Sequence, residues 1–213
     1  MDQNIEIKII NLKHRTDRKE ECIQELKKIN IVTNDKMFFD AKYDDINGAK
    51  GASLSHAMAI SNYLYESKKN YLLILEDDFQ ITDDKKFMDL INYSIINNNW
   101  NVTLLSHNYA IPISNTNNPN LLRVINSQTA SAYLVGRLYA VKLVEVFFRS
   151  SVLLDLNDNL NSPNKELARH YFCLDILWKS LQVDDIFLAA FPALVKQRES
   201  YSDIEKRNVN YNV

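Results

Sequence analysis

The chain has 213 residues, 46% of them hydrophobic and 24% charged, with a formal net charge of −2. That is enough apolar material for one sizeable core, and no Pro/Gly/Ser-rich linker or charge block divides it, so residues 1–213 read as a single domain. There is no bulk basic field to capture phosphodiester backbones or anionic membranes, so nucleic acid is not an expected partner. No apolar run approaches the roughly 20 residues that span a bilayer, and the Met-Asp-Gln-Asn start carries no leader features, which predicts a soluble, cytoplasmic chain without a transmembrane segment. Cys22 and Cys173 each sit among apolar residues at helical spacing and suit buried free thiols.

In chain order, Ile5 to Leu12 is a β-branched run that predicts a first strand. Thr16 or Asp17 then caps a helix with Cys22, Ile23, Leu26 and Ile29 on one face. Met37 to Phe39 predicts a short strand, followed by a polar loop through Asp44, Asp45, Asn47 and Gly48. A helix over Ala52 to Ser67 follows, with Leu54, Ala57, Met58, Ser61 and Leu64 inward. Tyr71 to Leu75 is apolar without alternation, as in a strand buried on both faces of a mostly parallel sheet. Thr82-Asp83-Asp84 caps a helix over Lys85 to Ile96, and Val102 to Leu105 makes a strand ending at Ser106-His107-Asn108. Ala110 to Pro119 reads as a turn-rich loop. Leu121 to Ile125 and Ala130 to Val135 read as strands, Leu138 to Phe148 as a helix, and Asp155 to Lys165 as a polar loop. A helix over Arg169 to Leu181, a strand over Ile186 to Phe191 and a polar tail from Glu199, suited to fold over the site, complete the chain.

The acidic triplet Glu76-Asp77-Asp78 stands at the carboxyl end of the most apolar strand, where ligands gather in open α/β sheets. Side chains alternate along extended backbone, so Glu76 and Asp78 share a face and suit a hard divalent cation, with coordination positions left for diphosphate oxygens. Without a cation the three charges repel one another. A second candidate, Asn11-Leu12-Lys13-His14-Arg15-Thr16-Asp17-Arg18, joins the first strand to the first helix, where backbone N–H groups favour an anion. Arg15 and Arg18 are its candidate phosphate or nucleoside contacts. His107, directly after a strand, is a candidate third metal ligand or donor contact, and His56 a residue that orients a loop near the donor. Gln128, Thr129 and Gln197 are candidates for sugar hydroxyls, and Tyr133 and Trp178 for stacking surfaces. His14 and His170 receive no task.

Ile10-Asn11-Leu12 followed by Arg15, Asp17 and Arg18, then Gly51-Ala52-Ser53-Leu54-Ser55-His56, then Leu73-Ile74-Leu75-Glu76-Asp77-Asp78 resembles the signature of family-25 glycosyltransferases. That family includes lipopolysaccharide glycosyltransferases and procollagen galactosyltransferases, and compact domains of this type also occur in large DNA viruses. Ala132-Tyr133-Leu134-Val135, Leu174-Asp175, Pro192, Gln197 and Ser202-Asp203 are similar to its later blocks in the same order. Gly136-Arg137 departs from the family's Ser-Arg, and acceptor contacts are the least transferable part.

The resemblance implies an α/β GT-A fold, a UDP-sugar donor and a divalent metal, Mn²⁺ or Mg²⁺. It makes Asp78 the main metal ligand, assisted by Glu76, with Asp77 orienting the donor ribose or sugar. Asn11, Leu12, Arg15 and Arg18 would line the nucleotide pocket, with His56 near the donor. The family looks inverting, which requires a carboxylate base for the acceptor hydroxyl; Asp175 matches the family's Asp, and Asp155, Asp184 and Asp185 are alternatives. The expected reaction moves a hexose or deoxyhexose to a hydroxyl of a glycan or glycoprotein. The rivals are a nucleotidyltransferase, for which three glycines hardly supply a phosphate loop, and a non-catalytic nucleotide-sugar-binding module.

Overall fold

The computed structural model describes residues 4–159, 165–202 and 207–209. The chain opens with β1 (Ile5–Asn11), α1 (Thr16–Lys28), a 3₁₀ turn over Asp35–Met37 and β2 (Phe38–Asp40). There follow α2 (Gly48–Glu66), β3 (Tyr71–Glu76), β4 (Phe79–Ile81) and α3 (Asp84–Ile96). The middle holds β5 (Val102–Leu104), β6 (Ile111–Asn115), β7 (Leu121–Ile125), β8 (Ala132–Gly136) and the long α4 (Arg137–Asn159). Then come α5 (Lys165–Phe172), α6 (Leu174–Leu177), α7 (Lys179–Asp184), β9 (Phe187–Ala190), β10 (Val195–Gln197), β11 (Ser200–Ser202) and β12 (Arg207–Val209).

Eight strands form one sheet in the order β2-β1-β3-β8-β5-β9-β7-β6. Pairing is parallel along β2-β1-β3 and between β5 and β9, and antiparallel elsewhere in this sheet. The architecture is thus the expected mixed sheet flanked by helices, with more antiparallel pairing than the apolar runs suggest, because β8 enters between β3 and β5 in the opposite direction. Both faces are covered. Leu73 and Leu75 of β3 join Cys22, Leu26, Phe87 and Ile91 from α1 and α3. Leu72 and Ile74 join Ile60, Tyr63, Phe147 and Trp178 on the other face. A strand buried on both sides needs no polar alternation, which is why this run is continuous.

Several local expectations are corrected. Neither Thr16 nor Asp17 caps α1; Arg15 takes the N-cap position without a capping side chain, and the Asp17 carboxylate accepts from its guanidinium. Helix α2 starts earlier than expected, at Gly48, with Asn47 accepting from Lys50 N. Its inner face holds Ser53, His56, Ala57, Ile60 and Tyr63, so of the expected face only Ala57 is fully inward. Small residues serve there because α2 packs against α4 closely enough for Ser53 and Ser150 hydroxyls to meet at 2.8 Å. The segment read as a loop around 110–119 contains β6, an exposed edge strand on β7 whose register shifts between Pro112 and Ser114, an edge being where a sheet tolerates proline. Helix α4 continues through Asp155 to Asn159; the rest of the predicted polar loop up to 164 lies outside the described residues. The expected helix over Arg169 to Leu181 is three short helices, and the break at Trp178 turns the indole inward to donate to Ser127 O at 2.9 Å.

Candidate active site

Parallel pairing assembles the site. Ile10 stands opposite Glu76 and Asn11 opposite Asp40, so β2, β1 and β3 end at one edge. The loops that leave that edge carry the Asn11–Arg18 segment, residues 41–47 and the acidic triplet. A fourth element arrives through β10, which pairs with β4 and sets Gln197 opposite Phe79, while Arg198 N donates to Asp78 O at 2.7 Å.

The three carboxylates divide as alternation requires. Asp77 turns toward α1, its Oδ1 accepting from Arg18 Nη1 at 2.5 Å and its Oδ2 from Asn11 Nδ2 at 2.8 Å, with Cys22 Sγ donating to its carbonyl at 3.2 Å. Burial pushes the Cys22 thiol upward, so it stays protonated as that donor. Glu76 and Asp78 converge on one amide: Gln197 Nε2 lies 3.4 Å from Glu76 Oε2 and 3.4 and 3.5 Å from the two Asp78 oxygens, and Asp78 Oδ2 also stands 3.8 Å from Arg18 Nη1. Behind Glu76, His56 Nε2 meets its Oε1 at 3.1 Å while Nδ1 meets the Tyr133 hydroxyl at 3.0 Å. A neutral ring protonated on Nε2 satisfies both contacts, since a carboxylate only accepts and Tyr133, held protonated by burial and by Glu76, donates. Burial and the neighbouring Glu76 charge raise Asp78 to about 7.

Two carboxylates sharing a weakly held amide, one reluctant to ionise alone, are a donor set that a hard divalent cation would relieve. Such a cation is commonly held by one or two carboxylates, with water and phosphate oxygens completing its shell. The residues therefore fit the group. Among the described residues, no third His, Cys, Asp or Glu side chain joins them in a set that could hold a metal. His107 in particular is elsewhere. Its Nε2 meets Ala190 O at 2.7 Å, its ring lies 4.5 Å from that of Phe191, and burial lowers its pKa. It belongs to the packing around the end of β9.

The cleft over Glu76 and Asp78 is walled by Ile10, Leu12 and Arg18 on one side and by Tyr43, Ser55 and His56 on the other. Arg15 and Arg18 both donate to the Tyr201 carbonyl, at 3.4 and 2.8 Å, so the start of the predicted tail does lie over this edge; Ser202 ends β11, and Asp203 lies outside the described residues. Asn11 and Arg18 thus act through Asp77, fixing the loop rather than standing free in the cleft. Lys42, Tyr43 and Asp44 line the cleft without having been singled out in the sequence. The signal for them was Gly51: a Cβ there would lie 2.5 Å from Lys42 O, and Ser55 Oγ accepts from Lys42 N at 2.7 Å. The small residues of α2 thus seat the 42–44 loop.

Asp175 is not among the residues that wall this cleft. It lines a second depression with Gln128 and Lys179, and its Oδ2 accepts from Thr129 N at 3.1 Å. Two residues further on, Ser131 O accepts from Glu76 N at 2.8 Å, so a single short segment links Asp175 to the acidic triplet. Burial raises the Asp175 pKa and the Glu76 charge adds to the rise. Of the alternatives, Asp155 pairs with Lys50, Asp185 with Lys142, and Asp184 is exposed; none lines either cavity. Trp178 and Tyr133 are fully buried core residues, not stacking surfaces. Among the described residues, no helix is long and apolar enough to cross a membrane.

No protein-family profile and no curated protein sequence matches the chain. Solved structures do. A glycosyltransferase involved in the glycosylation of the major capsid of PBCV-1 superposes with a TM-score of 0.50 at 8% identity, covering 95% of this chain and 96% of that one. A mannose-1-phosphate geranyltransferase from Thermus thermophilus gives 0.41 at 10% identity over 72% of this chain, which spans only 52% of that protein. A 4-diphosphocytidyl-2C-methyl-D-erythritolsynthase from Anaerococcus prevotii gives 0.35 at 9% identity, over 78% of this chain and 65% of that one. At near full coverage of both chains, the first match identifies the fold as GT-A, the nucleotide-diphospho-sugar transferase fold.

Proposed function

We propose that this chain is a metal-dependent glycosyltransferase of the family-25 type, which moves a hexose or deoxyhexose from a UDP-sugar to a hydroxyl of a glycan or glycoprotein. The observation that carries the reading is the convergence of Glu76 and Asp78 on Gln197 at the end of β3, in a cleft shared with Leu12 and Arg18. Glu76 and Asp78 would hold the cation, Mn²⁺ or Mg²⁺, which would supply positive charge to offset that of a departing diphosphate. His56, anchored on Tyr133, keeps Glu76 aimed at that point. The Asn11–Asp77–Arg18 network fixes the β1–α1 loop against which the nucleotide lies. Asp175, raised above the ordinary carboxylate range, is suited to take the proton of the attacking hydroxyl in an inverting displacement.

The test is a thermal-shift panel of UDP-, GDP- and CMP-sugars with and without Mn²⁺. A rise with UDP-sugars that needs the metal and disappears in Asp78→Ala supports the reading, and saturation at about 100 times Kd is worth about 2.7 kcal/mol. Slow release of UDP shows catalysis, whereas UTP and sugar 1-phosphate formed from a UDP-sugar and added pyrophosphate point to nucleotidyl transfer, and binding without turnover to a non-catalytic module. If no nucleotide stabilises the fold, the reading is wrong.

A further inference from the structure

The described residues with left-handed backbone that are not glycine are Asn30, Tyr109, Asn126 and Thr129. Asn30 follows α1, where a helix commonly ends this way. The other three stand together. Tyr109 and Asn126 line the depression that holds Asp175, and Thr129 gives Asp175 its backbone hydrogen bond. A φ of 74° in a β-branched residue is strained, and such strain gathers at ligand sites because the surroundings must hold a group in one place. Here the strained peptide aims its N–H at a half-buried carboxylate. Asn108 and Gln128 bridge their backbones beside it, which locks the Tyr109 and Thr129 loops together.

The charge around this depression is uneven. Arg169 and Lys179 line it, against the single carboxylate of Asp175. Lys179 lies one turn from Asp175, and burial lowers its pKa, so its ammonium is partly stripped of water. Arg169 spends one Nη2 contact on Ile46 O at 3.0 Å, and a guanidinium has five N–H donors. A neutral sugar gives such cations nothing to neutralise; a phosphate or carboxylate does.

Resting on the glycosyltransferase reading, we propose that this depression is the acceptor subsite and that the acceptor is an anionic sugar, its phosphate or carboxylate held by Arg169 and Lys179 while a hydroxyl meets Asp175. The cations thereby select the acceptor without touching the donor.

Binding of glucose, glucose 6-phosphate and glucuronic acid is measured by calorimetry on the full chain, with UDP and Mn²⁺ saturating so that the nucleotide part of the donor cleft is filled. At least one charged sugar is expected to bind about tenfold or more tightly than glucose, the worth of one charge-assisted hydrogen bond. The two charged probes separate phosphate from carboxylate recognition. Lys179→Gln and Arg169→Gln each reduce the ratio of charged-sugar to glucose affinity; Lys179 has the less constrained side chain, so its variant serves if the other fails to fold. Equal affinity for all three sugars, or a preference that survives both substitutions, overturns the proposal. UDP-hexose hydrolysis in the same wild-type preparation separates the two claims: hydrolysis without charge preference sinks this inference alone, and charge preference without hydrolysis or UDP binding sinks the enzymatic reading.

Discussion

Asp77 holds Arg18 and Asn11 at 2.5 and 2.8 Å, whereas the Gln197 amide meets Glu76 and Asp78 only at 3.4–3.5 Å, and this difference separates its work from that of the carboxylates on either side. Its partner Arg18 has a side chain only 10% exposed, as has Asp77 itself, so the pair is a buried one. Removing one member of such a pair strands a charge and costs about 3–5 kcal/mol. Arg18→Met is therefore expected to lower unfolding stability by about that amount in urea titrations, and Arg18→Met with Asp77→Leu to recover most of it. An Arg18→Met protein as stable as the parent would refute the buried-pair account. The triplet, Asn11 and Arg18 were legible as candidate site residues because their types and places after strands speak directly. What each touches was not. Alternation told which carboxylates share a face, but the capture of Asp77 by α1 depends on β1 lying beside β3 with Ile10 opposite Glu76, a neighbour and register that the apolar run does not specify.

At the scale of elements, α2 is where the sequence pattern misled. Its inner face is rich in Ser, Gly and Ala, so a hydrophobic stripe picks the wrong side. The small residues answer to α4 on one flank and to the 42–44 loop on the other. Gly51→Ala makes the test. Helix propensity alone favours Ala by about 1 kcal/mol. A Cβ only 2.5 Å from the Lys42 carbonyl instead pushes the loop away. The expected result is a lower melting temperature and a several-fold weaker UDP-sugar affinity. A higher melting temperature with affinity intact would show that the loop yields freely. The long α4 and the broken α5–α7 run went unread for a related reason: their bounds follow from what packs against them.

The molecule as a whole is tied across sequence by ion pairs that change with pH. Asp185, just after α7, accepts from Lys142 and Tyr139 on α4. Burial alone would raise this carboxyl, but the two hydrogen bonds and the Lys142 charge outweigh it and hold the pKa below the ordinary range. The sign is then fixed. A folded pKa below the unfolded value of about 3.9 means that the contact stabilises fully above that pH and is lost as pH falls through the folded value. Asp185→Asn is expected to cost about 1 kcal/mol at pH 7 and to reduce the steepness of acid unfolding below about pH 4. Chemical denaturation at pH 7, 5 and 3.5 reads this directly; an unchanged acid limb would place the loss of stability at other carboxylates.

The sequence by itself determined the alternation of strands and helices, the burial of β3 on both faces, and the acidic triplet at its end, because these rest on periodicity and composition within one segment. Only the tertiary structure decided that β8 runs antiparallel beside β3, that His107 serves the packing at β9, that Lys42 and Tyr43 wall the cleft, and that Asp175 opens onto its own strained, cationic depression. Those are matters of which distant segments meet. The side chains record such meetings only as small residues, satisfied polar atoms and left-handed backbone, and these become readable once the partners are in place.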